Sequence, residues 1–375
     1  MPENGIRKVI QITITEKCNL RCLYCYEHDR NNNVMEFDKA KEIIRKSFND
    51  YPDVDFLEFD FHGGEIALEF EFIKELCNWA WDQEWNKAYI FHATTNGTLI
   101  HGEIQDWFKE NSHRISLGLS LDGTRHMHNI NRSNSFDSID LDFFLSTYPE
   151  QPVKMTISPA TLPYVYEGIV EILTRGFKIS ANLAYGMKWN DEELKSIYCS
   201  ELKKLAEWHI DHPSVQISTL LSDRGFSHLG HSISNNMQQT HRKWCGTGEN
   251  MTCYSVDGQK LPCQMFNPSS GANPTAEILS QLDLSNIPVD QKCQNCPILS
   301  ICPTCYGAKF IDEGKIIKCP DALCDYKKIE TLASSYLYGK ILASGKQHCA
   351  IDGIDETTKA YMMLGIKYLQ DNLCL

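Results

Sequence analysis

Three cysteines, Cys18, Cys22 and Cys25, stand close together near the start of the chain in a C-x3-C-x2-C spacing. No fourth cysteine lies nearby in the sequence. Three thiolates can ligate three irons of a [4Fe–4S] cluster and leave the fourth iron open to another ligand. A structural zinc ion would take four ligands, usually from two pairs of residues, so a zinc site or unrelated thiols are the weaker alternatives.

A second group of cysteines occupies residues 245–324, which hold nine of the sixteen cysteines in the chain. Nine thiols are enough for two clusters of four ligands with one to spare, although paired C-x2-C spacings also suit zinc. This segment has little apolar periodicity and cannot build a large core. Bound metal clusters are therefore expected to supply much of its stability.

Short apolar segments alternate with helical patterns over residues 1–220, which predicts a parallel sheet. The predicted strands cover 8–15, 55–61, 88–94, 114–120, 153–158 and 178–184. The predicted helices cover 38–49, 70–84, 102–110, 138–147, 164–175 and 190–210. The first three cysteines directly follow the first strand, and strand-to-helix loops are where α/β folds place chemistry.

The second predicted strand is followed by His62-Gly63-Gly64-Glu65, and two glycines there would allow a tight backbone approach to a ligand. The next two strands end in small polar residues that would face the mouth of a barrel, although ordinary turns use the same residues. His126 and His128 are expected at the surface. The polar residues 223–242 predict a linker or loop, and residues 325–370 return to a helical composition.

Composition limits the kind of protein further. The chain has 375 residues, a net charge of −13, no signal peptide pattern and no apolar run long enough to span a membrane. The negative charge disfavours nucleic acid as a partner. Many cysteines without a secretory signal favour metal binding over disulfides, in a cytoplasmic and oxygen-poor setting. Among the remaining cysteines, Cys77 and Cys199 lie on helical patterns and are expected to be ordinary buried thiols.

The three-cysteine loop, the aromatic Tyr24 and Tyr26 beside Cys25, and the Gly-Gly-Glu turn together resemble the radical S-adenosylmethionine (AdoMet) superfamily. The resemblance implies an α/β fold with a partial (β/α)6 TIM-like barrel, and a [4Fe–4S] cluster on Cys18, Cys22 and Cys25. It also implies an AdoMet site formed by Tyr24, Gly63, Gly64, Glu65, Asn96, Ser120 and Asp122.

The second cysteine group resembles the SPASM extension of peptide- and protein-modifying radical AdoMet enzymes. Every spacing fits the pattern of that family except the gap from Cys302 to Cys305, which has two residues where three are expected. The resemblance implies two further [4Fe–4S] clusters, three in all. The first would use Cys245, Cys253, Cys263 and Cys305, and the second would use Cys293, Cys296, Cys302 and Cys324, with Cys319 as the rival for the last place.

The resemblance further predicts three parts: a radical AdoMet barrel over 1–225, a SPASM extension over 226–325 and a helical segment over 326–375. It implies hydrogen abstraction from a side chain of a ribosomally made peptide, for which we expect a crosslink, thioether or carbon–carbon. The alternative is formylglycine formation, as in anaerobic sulfatase-maturing enzymes. Those enzymes have an aspartate base where this chain has Gln264, and an amide cannot accept a proton as a carboxylate does. A non-catalytic iron–sulfur or zinc protein is the alternative of another class.

The expected partners are a precursor peptide and a reductant such as flavodoxin or ferredoxin, with neither nucleic acid nor membrane. Seventeen residues precede Cys18, which leaves no room there for a leader-binding domain. Leader recognition is therefore expected from the barrel, from the residues after 325 or from a separate leader-binding protein.

Overall fold

The computed structural model describes residues 5–240, 244–272, 274–281, 287–318 and 322–373. Within them, alternating strands and helices are followed by a cysteine-rich region and closing helices. The strands are β1 (Arg7–Thr15), β2 (Phe56–Gly63), β3 (Ala88–Thr95), β4 (Ile115–Leu119), β5 (Val153–Ile157), β6 (Ile179–Leu183), β7 (Met251–Tyr254) and β8 (Lys260–Leu261).

The helices of the first half cover the outside of the sheet. They are α1 (Phe37–Asp50), α2 (Phe70–Trp81), α3 (Gly102–Glu110), α4 (Arg125–Asn131), α5 (Leu141–Thr147), α6 (Val165–Thr174) and α7 (Glu192–Asp211). The later helices are α8 (Phe226–Ser234), α9 (Ala276–Gln281), α10 (Gln291–Gln294), α11 (Tyr306–Glu313), α12 (Cys324–Ser344) and α13 (Glu356–Asn372).

The sheet is an open partial barrel. Strands β4, β3, β2, β1 and β7 are joined in parallel in that order, and β8 pairs antiparallel with β7 at the edge. A bridge between Ser120 and Lys154 leads from the end of β4 to the parallel pair of β5 and β6. The cysteine-rich region therefore extends the barrel sheet itself, because β7 lies directly beside β1.

Strand β1 shows how the two faces of the sheet differ. Ile10, Ile12 and Ile14 are fully buried within the apolar core. The alternate residues Gln11 and Thr13 point to the opposite face, the inside of the barrel, because side chains alternate along a strand. They are also buried, and they hydrogen-bond to other polar side chains there. The barrel interior is thus polar, which suits a site that holds a polar ligand.

The six predicted barrel strands agree with the structure to within two residues at each end. The prediction of a partial barrel with a cysteine-rich extension and terminal helices is confirmed. The prediction of a loop over 223–242 was wrong, because α8 lies there with Phe226 and Leu229 buried against neighbouring helices that include α13. The part boundaries near 225 and 325 stay a prediction. No helix in the described ranges has the length and apolar character needed to cross a bilayer.

Candidate functional site

The loop between β1 and α1 places Cys18, Cys22 and Cys25 around one cavity of about 510 Å³. All three side chains are half-buried. Burial raises the pKa of Cys22 to about 11; Arg132 lowers it, and the nearby Cys25 and Asp122 raise it further. The rest of the cavity lining includes several charged and polar side chains: Glu16, Arg21, Glu27, His28, Arg30 and Asn32.

The two glycines after β2 lie against the backbone that leads into this cysteine loop. A Cβ atom on Gly63 would lie 2.1 Å from the carbonyl oxygen of Thr15, and one on Gly64 would lie 2.2 Å from that of Lys17. The Gly64 N–H donates to Thr15 O at 3.0 Å, and the Glu65 N–H donates to Lys17 O at 2.8 Å. Only glycine permits this approach, which fixes the start of the cysteine loop.

Glu65 joins the ends of two strands rather than facing open space. Glu65 is 2% exposed, and its carboxylate accepts hydrogen bonds from Thr95 Oγ1 at 2.6 Å and from the Asn96 N–H at 2.7 Å. Burial raises the pKa of Glu65, and these hydrogen bonds oppose that rise. Asn96 in turn donates to Asn19 Oδ1 in the cysteine loop at 2.9 Å. The role of Glu65 and Asn96 toward AdoMet stays a prediction.

Asp122 is fully buried and is the centre of a polar network behind the cysteine loop. Tyr24 donates its hydroxyl to Asp122 Oδ2 at 2.6 Å, and the Thr156 N–H donates to Oδ1 at 2.9 Å. Arg132 Nε lies 2.9 Å from Oδ2, and Arg132 Nη1 lies 4.0 Å from Cys22 Sγ. Tyr24, Asp122 and Arg132 therefore form one unit that supports the loop and places a positive charge beside Cys22.

The remaining residues near this strand end differ in their surroundings. Ser120 is half-buried, and its N–H donates to Thr95 O at 2.9 Å. His126 is exposed, as expected. The expectation for His128 was wrong: it is fully buried, and its Nδ1 accepts from the Asp122 N–H at 3.3 Å. Burial lowers the pKa of His128 to about 4, so it is a neutral part of the Asp122 network.

The first predicted ligand set of the extension, Cys245, Cys253, Cys263 and Cys305, gathers beside β1. Cys253 lies on β7, where its sulfur is 3.9 Å from Thr13 Oγ1. Burial raises the pKa of Cys263 to about 12, and the neighbouring Cys305 and Cys245 contribute to that rise. Burial also raises the pKa of Cys253, and Cys263 adds to that rise. The four thiols are therefore electrostatic neighbours, although 60 residues separate Cys245 from Cys305 in sequence.

The second predicted set borders a separate and much smaller cavity. Burial raises the pKa of Cys293 to about 11, Lys318 lowers it, and the other three thiols raise it. Lys318 donates from Nζ to Cys302 O at 2.8 Å. Cys319 lies outside the described residues, so only Cys324 can be placed at this cavity. The lining consists of Cys293, Cys296, Cys302, Cys324, Ile298, Leu299, Thr304, Lys318 and Lys327.

The other cysteines lie apart from these three groups. Cys77 is buried on α2, as expected, whereas Cys199 is exposed on α7 and its predicted burial was wrong. Cys349 is exposed, and Cys374 lies outside the described residues. Across the part of the chain that the structure describes, no three His, Cys, Asp or Glu side chains have the spacing that holds a metal ion.

A third cavity, of about 470 Å³, lies between the cysteine loop and the extension. It reaches Cys25 on one side and Met265, the neighbour of Gln264, on the other. The rest of its lining mixes aromatic, apolar and polar residues: Leu23, Tyr24, Tyr26, His28, Tyr185, Gly186, Met187, Lys188, Ser270, Ala308, Ile311 and Asp312. A cavity that adjoins both the loop and the extension could admit a peptide side chain.

Three residues of this region carried no assigned role in the sequence. Arg132 lies 110 residues from Cys22, and no local pattern links the two. Glu27 and His62 form a pair, with His62 Nε2 at 3.5 Å from Glu27 Oε1. Its position directly before the Gly-Gly-Glu turn is the one sequence signal that could have identified His62 as a residue of this site.

No protein-family model matches the chain. Among curated proteins, it is 32% identical over 139 residues to a cysteine-type anaerobic sulfatase-maturating enzyme of Clostridium novyi, covering 33% of this chain and 36% of the relative. It is 31% identical over 129 residues to a serine-type enzyme of Bacteroides thetaiotaomicron, covering 31% and 30%. An uncharacterised protein of Methanocaldococcus jannaschii is 28% identical over 182 residues, covering 47% and 61%. The chain thus matches less than two thirds of each relative.

Solved structures show the same fold over nearly the whole chain. The structure of anSMEcpe with bound AdoMet has a TM-score of 0.68 at 19% identity, covering 95% of this chain and 98% of that one. The structure of SuiB from Streptococcus suis, bound to its precursor peptide SuiA, has a TM-score of 0.53 at 16% identity, covering 85% and 76%.

Proposed function

We propose that this chain, a homologue of the anaerobic sulfatase-maturating enzymes with the radical SAM partial-barrel fold, is a radical AdoMet enzyme that modifies a side chain of a peptide or protein. One observation carries the proposal: Cys18, Cys22 and Cys25 border a single large cavity at the carboxyl end of β1. In barrels of this kind, catalytic residues lie at that end of the strands.

The residues around the cavity fit a cluster with one open iron. Three thiols are the donors that such a cluster takes from protein, and the free volume beside them leaves space for a small molecule. When bound, the cluster and AdoMet together supply a carbon-centred radical that removes a hydrogen atom from an unactivated carbon. In our proposal, Gly63 and Gly64 hold the loop in place, and Arg132 offsets negative charge at Cys22.

The two four-thiol groups of the extension would hold auxiliary clusters. Four thiolates complete the protein ligands of a [4Fe–4S] cluster, which suits it to electron transfer rather than to substrate binding. We assign the groups as predicted, with Cys324 rather than Cys319 in the last place because Cys324 borders the cavity with Cys293, Cys296 and Cys302.

The relatives and one residue favour different products. The cysteine-type and serine-type enzymes among the relatives favour oxidation of a Cys or Ser side chain to formylglycine. This replaces the crosslink as our first candidate. Gln264 keeps the crosslink as the second candidate, because an amide cannot serve as the carboxylate base. In either case the 470 Å³ cavity would receive the side chain, since it adjoins both Cys25 and Met265.

The partners follow from the same proposal. SuiB is solved with a precursor peptide, and anSMEcpe is solved with a Cys-containing peptide. We propose that this chain also binds a peptide, with a flavodoxin or ferredoxin as reductant and, for a leader-bearing peptide, a separate leader-binding protein.

The test begins with anaerobic reconstitution and measurement of iron, sulfide and 5′-deoxyadenosine. We expect about twelve irons per chain, four for each of three clusters. Replacing Cys18, Cys22 and Cys25 together by alanine should remove about a third of the iron. It should also lower 5′-deoxyadenosine formation at least ~100-fold. The matched control is Cys199→Ala, which removes an exposed thiol of α7 and should change neither quantity.

The product is identified by mass spectrometry of a Cys-containing peptide after incubation with enzyme, AdoMet and reductant. Formylglycine formation replaces the cysteine sulfur by oxygen and also removes two hydrogens. A crosslink removes two hydrogens, keeps the sulfur and joins two residues. Zinc in place of iron, or AdoMet cleavage that survives the triple substitution, would refute the radical AdoMet assignment.

A further inference from the structure

A cavity of about 210 Å³ is lined by the carboxyl end of β6 and by helix α12. Asn182 comes from β6, and Lys327 and Glu330 come from α12. Tyr185, two residues after β6 ends, borders this cavity and also the 470 Å³ cavity that would receive the substrate side chain. Because each residue of an extended peptide advances about 3.3–3.6 Å, a few residues suffice to pass Tyr185. A peptide whose modified side chain occupies the larger cavity could therefore place a nearby residue in the smaller one.

Arg224 lines this smaller cavity with a guanidinium group that is only partly paired. The residue is 7% exposed, and its Nη2 donates to Glu330 Oε2 and to Leu220 O. Its Nε atom is buried and has no hydrogen-bond partner among the described residues. A buried charged donor without an acceptor is costly, so this N–H indicates a ligand that brings an acceptor oxygen.

The acidic side chains of the same lining already accept hydrogen bonds. Glu330 Oε1 accepts from the Tyr198 hydroxyl at 2.9 Å, and Glu330 Oε2 accepts from Arg224. The exposed Asp223 accepts two backbone N–H groups at the start of α8, at 2.8 and 2.9 Å. The cavity therefore still offers the Nε–H of Arg224, and Lys327, which is 6% exposed, adds a second positive charge.

We propose that this cavity binds a carboxylate of the substrate peptide and so helps to select that peptide. The inference rests on the proposed function. A carboxylate brings acceptor oxygens and one negative charge, which suit the Nε–H of Arg224 and the charge of Lys327. It belongs either to an acidic side chain near the modified residue or to the carboxyl terminus of the peptide, since both carry the same group.

The charges around the cavity favour one negative charge over two or none. A doubly charged phosphate would meet more repulsion from Glu330, and a neutral carbonyl oxygen would gain less from Arg224 and Lys327. Lys327 also borders the four-thiol cavity, so its charge is shared between the two sites. Since Glu330 and the carbonyl of Leu220 already hold the guanidinium of Arg224, its ordering costs little when the peptide binds.

The first test measures binding and needs no turnover. Isothermal titration calorimetry on the reconstituted protein compares Ala-Ala-Glu-Ala-Ala, blocked at both ends, with its Gln analogue. We expect the Glu peptide to bind at least ~10-fold more tightly, as for a hydrogen bond to a charged group. A penta-alanine peptide with a free carboxyl terminus tests the other source of the carboxylate. Equal affinities for all three peptides, or binding of none, would overturn the inference.

Two variants assign the carboxylate to this cavity. Arg224→Lys keeps a positive charge beside Glu330 but has no Nε–H, so it should lose the preference for a carboxylate. Asn182→Trp would fill the cavity and leave Arg224 unchanged, and it should lose the preference as well. Arg175→Lys is the matched control, because it changes an exposed arginine of α6 that is paired with Glu171. A preference that survives in both cavity variants would refute the inference.

The second test measures turnover of blocked peptides that carry one Cys and one Glu, with Glu at each of the four positions on either side. At one of these positions, or with a free carboxyl terminus, KM should be ~10-fold lower than for the uncharged analogue, with kcat little changed. Arg224→Lys should remove this difference. If Arg224→Lys keeps it in full, the carboxylate binds elsewhere and the inference is wrong.

The outcomes separate the inference from the proposed function. If the wild-type protein forms no 5′-deoxyadenosine, the proposed function fails, and the calorimetry still decides whether the cavity binds a carboxylate. If the wild-type protein modifies the Cys-containing peptides with the same KM whether or not they carry a carboxylate, the proposed function stands and the inference fails.

Discussion

Two cysteine sites of this chain differ in their cavities and in how they are held. One is the three-thiol loop with Cys18, Cys22 and Cys25. The other is the four-thiol group of Cys293, Cys296, Cys302 and Cys324. The loop offers three thiols around a cavity of about 510 Å³ lined by acidic and basic side chains. The other group offers four thiols around a much smaller cavity, where Ile298, Leu299, Thr304 and two lysines complete the lining.

The two regions are also held in place differently. Long-range hydrogen bonds fix the three-thiol loop: Asn96 from β3 reaches Asn19, and Asp122 from the end of β4 reaches Tyr24. The four-thiol group is held within a short stretch of sequence, with Lys318 bound to the carbonyl of Cys302. The barrel therefore supports the open site, and the extension supports the closed one.

This difference has a chemical meaning in our proposal. A site that must admit a small molecule needs an open coordination position and a cavity, so its ligands cannot enclose it and outside elements must hold it. A site that only passes electrons can be enclosed by its own ligands. Substitutions at the strand ends should consequently affect the three-thiol site alone, and substitutions near Lys318 should affect the four-thiol site alone.

The largest expected effect is that of Gly64→Ala. Its Cβ would lie 2.2 Å from Lys17 O and 2.9 Å from Cys18 Cβ, so the cysteine loop must move. We expect 5′-deoxyadenosine formation to fall at least ~100-fold, because small displacements of reacting groups have effects of this size. Gly339→Ala on α12 is the control, since its Cβ would come no closer than 3.4 Å to a neighbour. Full activity in Gly64→Ala would contradict this account of the loop.

The reverse experiment is Lys318→Met in the closed region. It removes the donor to Cys302 O and to Thr304 Oγ1 and should lower the free energy of unfolding by about 2–3 kcal/mol, as for other buried charged hydrogen bonds. Urea titration measures this loss, while AdoMet cleavage at the three-thiol loop should persist. Lys315→Met, at an exposed position of the same segment, should leave stability unchanged. Equal losses in both variants would mean that Lys318 has no special structural role.

The sequence predicted most of the barrel because its signals are local. Alternation in the strands and helical periodicity between them are readable within ten residues, and the strand bounds followed from them. The three-cysteine loop and its position after β1 were predictable for the same reason. The helix α8 was missed because its Ser- and His-rich sequence hides two apolar residues, Phe226 and Leu229, whose burial depends on distant helices that include α13.

The parts of the site that escaped prediction depend on residues distant in sequence. Arg132 reaches Cys22 across 110 residues, and Asp122 is buried by partners from three other segments. No sequence pattern near either residue predicts these contacts. The cysteines of the extension could be grouped only by their resemblance to a known family. Their spacing alone is not enough, since Cys245 and Cys305 meet through the fold of the chain and not through a local motif.

A smaller expected effect concerns Tyr24→Phe in the open region. It removes the 2.6 Å hydrogen bond to a buried carboxylate and should lower the free energy of unfolding by about 1.5–3 kcal/mol. Because Tyr24 belongs to the cysteine loop, AdoMet cleavage should also fall, by ~10-fold. Tyr148→Phe is the matched control: it removes a buried hydroxyl bonded to Phe108 O at 3.0 Å, far from the loop. It should lower stability without slowing cleavage, and a similar slowing in both variants would argue against a specific role for Tyr24.

The smallest effect is a dependence of stability on pH that originates at Glu65. Because burial raises the pKa of Glu65 above its usual 4.5, the folded state holds this proton more tightly than the unfolded state does. Its contribution to stability is therefore present at low pH and is lost as the pH rises through the higher, folded-state pKa. Glu65→Gln should flatten the slope of unfolding free energy against pH, measured by urea titration at successive pH values above the usual 4.5. Glu71→Gln, whose carboxylate is largely exposed, should keep the wild-type slope. An unchanged slope in Glu65→Gln would mean that the strand-end hydrogen bonds from Thr95 and Asn96 fully offset the burial of this carboxylate. Glu65 would then contribute no pH dependence to the stability of the protein.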